Sequence, residues 1–597
     1  MRRAYGNRLR VRATACRRQP SPHGHRDHSA LQRTSHGLYQ FDNRARTPHL
    51  RQGRQGLPAR RLSRTKTEHM KYRIITLILC LATVLGVKAQ ELRKSVQQMQ
   101  QVLTAIQYLY VDTANVEKLS EAGIRAMLKE LDPHSTYADA AEVKAMSENL
   151  GGNFQGIGIR YSIETDTVYV INTVVGGPSE KVGIIAGDRV ITVNDTVIAG
   201  KKLTTTDIQR YLRGPKGTEV KLGVMRDREK KLITFNIIRD DIPVYSVDAA
   251  YMATPTIGYI KVSRFAATTP EEIADALDKL TAQGLKDLII DLQDNGGGYL
   301  QSAVEMANFF IPADKMIVYT KGRNEGSREY RTSECKKFPG KLIVLIDEES
   351  ASASEIFAGA IQDLDRGIIV GRRSFGKGLV QRPLELAGGG MVKLTVAHYY
   401  TPSGRCIQKP YTKGDNEAYR KELLDRYMHG EYLSADSIHF ADSLKYLTEN
   451  GRTVYGGGGI MPDVFVPLDT TKLSPNHRIL IARGVVNKFI LEYFRDNQKR
   501  LRNKYKTFEA YDKNFEITDM IIDQLCDLAR KDSVELDSTD VLTNNDLLKM
   551  QVKANIAADL FETGAFSQIM NRNNKIYAAG MDIISNEKKY KSFLQKK

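Results

Sequence analysis

The sequence predicts a mixed α/β protein of several domains, and three observations carry that prediction. Leu342–Ile346 is an unbroken, β-branched apolar run of the length expected for a strand buried on both faces, and Leu288–Leu292 and Gly367–Val370 read similarly. Amphipathic helical patterns lie between these runs, over Glu271–Gln283 and at Ile356, Phe357, Ala360 and Ile361. Around this α/β core, residues 150–228 alternate in short strands punctuated by glycine, whereas 90–149 and 470–597 carry helical periodicity.

The chain opens on a basic leader. Residues 1–69 hold 17 Arg and Lys against Asp27, Asp42 and Glu68, so 14 of the +18 net charge belong to a segment without apolar periodicity. The rest is nearly balanced, which removes the case for a nucleic-acid partner of the folded protein. Met70-Lys-Tyr-Arg then forms a basic n-region, Ile74–Leu85 an apolar h-region, and Val87-Lys-Ala89 a small-residue cleavage pattern. The apolar run is shorter than the ~20 residues a spanning helix needs. The expectation is a start at Met70, a signal peptide over 70–89 cleaved after Ala89, no remaining membrane span, and export to a bacterial periplasm or cell envelope.

From Glu91 to Asn149 one helical face carries Leu92, Val96, Met99, Leu103 and Ile106, and Leu131-Asp-Pro-His-Ser-Thr-Tyr137 breaks it with a turn. His134 in that turn reads as structural. Cys335, Cys406 and Cys526 are too scattered for a disulfide framework, and no Cys or His spacing fits a metal, so neither a metal nor a cofactor is expected.

The chemistry concentrates in 341–381. The strand Leu342–Ile346 runs into a small-residue turn with Ser350, Ser352 and Ser354, then a helix, a second strand, and Phe375-Gly376-Lys377-Gly378. A serine hydroxyl needs a base to become a nucleophile, and a lysine can serve only if burial or a positive neighbour keeps it neutral. Any of the three serines fits on composition. Ser352 with Glu355 also matches a helix capping box. Gly371 to Lys377 matches the first seven positions of a phosphate-binding loop, G-x-x-x-x-G-K, but Gly378 stands where a Ser or Thr should hold magnesium, and Pro383 falls where a helix should propagate. A nucleotide-binding protein is the rival reading on those residues.

These motifs together resemble the C-terminal processing peptidases, or tail-specific proteases: Ser350–Glu355 reads S-A-S-A-S-E, Phe375–Gly378 reads F-G-K-G, and Gln381 follows the lysine by four. The resemblance covers about residues 91–469. It implies a serine endopeptidase in which Ser352 is the nucleophile, Lys377 its base and Gln381 the lysine's support. It also implies a glycine-loop oxyanion hole after Leu288–Leu292, assigned to the N–H groups of Gly297 and Ala353 with Gly298 as alternative. The family's arginine in that loop is here Gln293, and Leu-Asp-Pro-His-Ser at 131–135 and Gly456–Asp463 are further family elements.

Within 150–228, Gly156-Ile157-Gly158-Ile159, Gly187-Asp-Arg-Val190 and Arg213-Gly-Pro-Lys-Gly217 fall in the order of a PDZ domain, a module that is expected to bind an extended peptide at a sheet edge. Gly156, Ile157, Gly158 and Ile159 match its carboxylate-binding loop, so protein or peptide substrates with free C-termini are the expected partners. A proteolytically inactive scaffold that only binds C-termini is the second rival. The expected division is 150–228 for the PDZ-like domain, 229–469 for the peptidase core, a charged insertion at 412–450, and a helical extension at 470–597. In that extension Ile479, Val486, Ile490 and Phe494 form an apolar stripe for packing or homo-oligomer formation.

Overall fold

The computed structural model describes residues 90–595 except 165, 227–230, 336, 471–472 and 562. The leader and the signal peptide expected over 1–89 lie outside the described residues. Residues 90–109 form a helix whose Leu92, Val96 and Met99 are exposed.

The PDZ-like domain is an antiparallel sheet in the order β1 (Ile159–Glu164), β2 (Thr167–Thr173), β3 (Arg189–Val193), β4 (Glu219–Met225), β5 (Ile233–Ile238). Alternate residues Val168, Val170, Val190, Val220, Leu222 and Val224 meet Ile208 and Leu212 of helix α1 (Thr205–Leu212) in a buried core. The Thr204 side chain and that of Asp207 cap this helix reciprocally. β1 ends the sheet; of the expected loop Gly156–Ile159, Gly156 closes a short strand, Asn153–Gly156, that pairs antiparallel with Asp240–Pro243, and only Ile157 and Gly158 link it to β1.

The core is a six-stranded sheet in the order β6 (Val247–Met252), β7 (Ile257–Val262), β8 (Asp287–Asp291), β9 (Leu342–Ile346), β10 (Ile368–Gly371) and β13 (Val464–Phe465), parallel except for β6 against β7. Helices α2 (Thr269–Ala282), α3 (Leu300–Ala307) and α4 (Ala353–Asp363) lie in the connections between the parallel strands. Successive side chains of a strand point to opposite faces. Leu288, Ile290, Leu342, Val344 and Ile346 pack with these helices, while Ile289, Ile343 and Leu345 pack with Ile576, Ile583 and Ile584.

That second layer comes from the C-terminal region. After α5 (Asn416–Met428) of the charged insertion, the chain continues into α6 (Val485–Lys504), α7 (Asp546–Leu560), α8 (Thr563–Met570) and α9 (Lys575–Ser585). A Cβ at Gly580 in α9 would stand 3.0 Å from Leu345 and 3.3 Å from Ile343, so the glycine lets the helix lie close on the sheet. The parallel sheet, expected to end with residue 469, is therefore covered by residues well beyond it. The stripe at Val486, Ile490 and Phe494 is buried in an intramolecular helical core, and Ile479 alone is exposed.

Beside the parallel sheet, β11 (Leu379–Glu385) and β12 (Met391–Tyr400) pair antiparallel with Gln381 opposite Thr395. Thr136–Ala138 pairs with the other edge of β12. Thr395 is held by the turn before that strand: its N–H donates to Ser135 Oγ at 3.1 Å and its hydroxyl to Asp132 Oδ1 at 2.9 Å.

Candidate active site

β9 ends in a tight turn at Asp347–Ser350, and α4 starts at Ala353, leaving Ser352 on the corner between strand and helix. Its backbone is in the left-handed region, φ 56° and ψ −111°, a conformation costly for a residue with a Cβ and kept only where the surroundings impose it. Ser352 makes no side-chain cap hydrogen bond, and the N–H of Glu355 goes instead to the Ser352 carbonyl at 3.0 Å. Glu355 supplies its half of the capping box, accepting the Ser352 N–H at 2.8 Å.

The other two serines are structural. Ser350 Oγ donates to the Leu292 carbonyl at 2.8 Å and accepts from the Asp347 N–H at 3.0 Å. Ser354 Oγ donates to the Asn295 carbonyl at 2.8 Å, and both residues are fully buried. Ser352 is half-buried.

Glu355, wholly buried in the first turn of α4, joins this corner to the lysine loop. Its Oε2 accepts the N–H of Ser352 at 2.8 Å and of Lys377 at 2.9 Å. Its Oε1 accepts the N–H of Gly376 at 2.7 Å and the hydroxyl of Ser374 at 2.6 Å. Burial raises its pKa against the pull of these four donors. Tyr399 of β12 is the second link, its hydroxyl lying within reach of the Ser352 carbonyl at 3.1 Å and of the Lys377 carbonyl.

The lysine loop is clamped on its far side as well. Gly376 accepts the Lys409 N–H at 2.9 Å, Gly378 donates to Gln408 Oε1 at 2.8 Å, and Arg426 of α5 donates to the Ser374 and Phe375 carbonyls. The insertion therefore braces the loop that carries Lys377. Burial pushes the Lys377 ammonium below its ordinary pKa and the charge of Lys393 adds to this, while Glu355 and Asp132 oppose. Lys393 Nζ lies 3.0 Å from the thioether of Met146. His134 is lowered to about 4, first by burial and then by Lys377, and its Nε2 pairs with the Tyr419 hydroxyl at 2.8 Å. Gln381 sits at a bulge in β11 with its amide toward the Leu379 carbonyl at 3.4 Å.

The phosphate-loop reading fails on geometry. The N–H groups of Gly376 and Lys377 are spent on Glu355, and a strand follows where the helix N-terminus would be needed.

Gly297 lies against the serine: a Cβ there would stand 2.7 Å from Ser352 Cβ and 2.7 Å from the Ala351 carbonyl oxygen. At φ 97° the position also suits glycine. Its N–H, however, donates to Asn295 Oδ1 at 2.9 Å, so it is committed within its own loop. Gln293, where the resembled family has arginine, donates to Asp291 Oδ1 at 3.1 Å and meets Asn574 at 3.5 Å. In the PDZ-like domain, Gly158 has φ 72°, and the Ile157 carbonyl accepts the Ser179 N–H and hydroxyl. Gly156 and Ile157 are buried, Ile159 half-buried.

Glu355 and Tyr399 went unread as site residues in the sequence. Glu355 carried a signal, as the fourth position of Ser-x-x-Glu; Tyr399, 47 residues from Ser352, carried none.

Comparison with known proteins agrees with this architecture. The model of peptidase family S41 matches residues 256–418, that of a PDZ domain matches 170–226, and that of a family of unknown function matches 476–562. The chain is 34% identical over 355 residues to carboxy-terminal processing protease CtpB of Bacillus subtilis (strain 168), covering 59% of this chain and 72% of that protein. It is 34% identical to CtpA of the same organism, covering 55% and 69%, and 35% identical to the carboxy-terminal-processing protease of Bartonella bacilliformis, covering 53% and 74%. With a serine corner, a buried lysine loop and a PDZ module on one chain, and relatives matched over more than two thirds of their length, the protein belongs to the carboxy-terminal processing proteases of peptidase family S41, as a serine-type peptidase.

Proposed function

We propose that Ser352 and Lys377 are the catalytic pair of an exported endopeptidase that selects proteins by their free C-termini. One observation carries the pair: Glu355 Oε2 binds the backbone N–H of both residues, fixing the strained serine corner and the lysine loop to one point. In this reading neutral Lys377 takes the proton from Ser352 Oγ as it attacks the scissile carbonyl, then returns it to the leaving amine. The acyl-enzyme is released by water, activated by the same lysine. Gln381 supports the lysine from β11. The Ala353 N–H at the start of α4 and a glycine N–H of 297–298 receive the oxyanion. Because Asn295 engages the Gly297 N–H, Gly298 is the better supported donor of the two.

The PDZ domain supports selection of C-termini. β1 is an edge strand that an extended peptide can extend, and the Gly156–Ile159 loop before it can receive the terminal carboxylate on backbone N–H groups. Export rests on the sequence of 70–89 and is tested by N-terminal analysis of the envelope protein, which should begin at Gln90. Covalent labelling by an activated phosphonylating probe tests the chemistry. A single adduct on Ser352, lost in Lys377→Ala, is expected; labelling of Ser350 or Ser354 instead overturns the assignment.

A further inference from the structure

The C-terminal helices do more than cover the sheet. Asp559, at the end of α7 and 3% exposed, accepts an ion pair from Arg160 of β1 at 2.7 Å. Its carbonyl accepts the side-chain N–H of Asn172 in β2 at 3.0 Å, and Arg502 of α6 donates to Asn172 Oδ1 at 2.8 Å. Ile171 of β2 is buried in the same apolar cluster as Phe494 and Leu560. The hairpin β1–β2, which follows the Gly156–Ile159 loop directly, is therefore gripped by α6 and α7.

Residues 563–574 run onto the peptidase sheet. Thr563 Oγ1 donates to the Asp248 carbonyl of β6 at 2.6 Å, Asn571 donates to the Tyr251 hydroxyl at 2.9 Å, and Asn574 reaches Gln293 Oε1 at 3.5 Å. Gln293 opens the glycine loop that ends beside Ser352. One short stretch of chain thus touches the PDZ hairpin at one end and the root of the glycine loop at the other.

We propose that residues 559–574 are a bracket coupling the PDZ hairpin to the glycine loop, with Asp559 as a positioning residue. A charge buried at Asp559 is tolerated only while Arg160 pairs with it, and Arg502 donates to the Asp559 carbonyl at 3.4 Å, so the bracket closes in one arrangement of hairpin and helices. A peptide that extends β1 pulls on the strand that carries Arg160. Its effect then reaches Gln293 through helices α7 and α8 rather than through the strand Asp240–Pro243 that leads from the PDZ domain to β6. This goes beyond the proposed catalytic pair and does not depend on it.

The test is amide hydrogen exchange on the resting full chain, in which neither catalysis nor a bound peptide takes part. Arg160→Ala and Asp559→Asn should each raise exchange about fivefold or more in both 159–173 and 293–299, as expected when a local opening loses a pairing interaction. The central strands 288–291 and 342–346 should keep the parent rate, and Arg160→Lys should restore the hairpin. Arg502→Ala tests the same contact from α6, and should loosen the same two segments if Asp559→Asn does not fold. Faster exchange in the hairpin alone, with 293–299 unchanged, overturns the coupling. Faster exchange from Arg160→Ala but not from Asp559→Asn or Arg502→Ala overturns the bracket. As a catalytic readout, Asp559→Asn should lower kcat for short and C-terminally anchored substrates alike, through the glycine loop, and should raise KM only for the anchored protein substrate. An unchanged kcat for both substrates counts against the coupling.

Discussion

Ser352 and Lys377 donate their backbone N–H groups to one atom, Oε2 of Glu355, at 2.8 and 2.9 Å. The two residues are 25 apart in sequence, on different loops, and this carboxylate makes their separation a property of one side chain. Glu355→Ala leaves four donors without their acceptor in a buried site. The expected loss is about 3–5 kcal/mol of stability, with kcat/KM falling at least as far as in Lys377→Ala. Glu355→Gln keeps the shape but offers a single acceptor oxygen, so it should fold and still lose most activity. Thermal unfolding together with kcat/KM separates the two effects. Wild-type turnover in Glu355→Gln would show that the shared carboxylate does not set the pair.

The pair itself should behave as one unit. Ser352→Ala and Lys377→Ala should each abolish peptide cleavage, and the double variant should be no worse than either. Lys377→Arg should also be inactive, because a guanidinium stays protonated at any usable pH. Ser350→Ala and Ser354→Ala remove buried hydroxyls that are hydrogen-bonded to Leu292 and Asn295, so they should cost about 1–3 kcal/mol of stability while leaving chemistry in the folded fraction.

The acid limb of the pH–rate profile should respond to Lys393. In the proposed pair the base is neutral Lys377, so kcat/KM should rise with pH through the pKa of that lysine. Burial lowers this pKa first and the positive charge of Lys393 lowers it further. Lys393→Met removes that charge, the Lys377 pKa rises, and the limb should move to higher pH. A limb that stays in place, or moves to lower pH, contradicts the electrostatic role of Lys393.

His134 gives a pH signature in stability. Its pKa is about 4 in the folded protein against an ordinary 6.5, so between these values the unfolded chain binds a proton that the folded chain does not. Its contribution is present above 6.5 and is lost progressively as pH falls from there toward 4. His134→Gln, which keeps a partner for the Tyr419 hydroxyl, should flatten the fall in stability over that window by roughly 1–3 kcal/mol. Denaturant unfolding at pH 7 and pH 4.5 for both proteins measures the difference.

What the sequence disclosed and what it withheld follow a physical division. The Ser352 corner, the Lys377 loop and the glycine turn are legible as local structure because each follows closely on the end of a buried strand. The strand Leu342–Ile346 is apolar on both faces, which demands two covering layers without saying which segments supply them. The second layer is α9, some 230 residues later, and only the folded chain brings Ile583 to Ile343. The stripe at Val486, Ile490 and Phe494 is equally ambiguous, since a helical period fixes which face is buried but not against what. It packs within the chain. Tyr399 is hidden for the same reason: alternation places it on the buried face of a strand, and its hydroxyl finds Ser352 and Lys377 only across the tertiary fold.

Selection by chain ends is the most direct test of the PDZ domain's part. A free C-terminus placed on the loop 156–159 gains a set of charge-assisted hydrogen bonds, and amidation removes the charge while leaving every side chain in place. Donors left with a poorer partner typically cost ~1–3 kcal/mol. At ~1.4 kcal/mol per tenfold, an amidated protein substrate should be cleaved roughly 5- to 150-fold more slowly at limiting concentration. The difference should lie in KM, because a loop with the proposed role holds the chain end and not the reacting carbonyl. Gly158→Val should shrink it. Position 158 has φ 72°, and even a Cβ there would stand 3.0 Å from Ile242, so a branched side chain strains the loop locally while the sheet behind it remains. An enzyme that cleaves acid and amide at equal rates, with Ser352 still labelled by the phosphonylating probe, would retain the catalytic pair and lose the carboxylate loop.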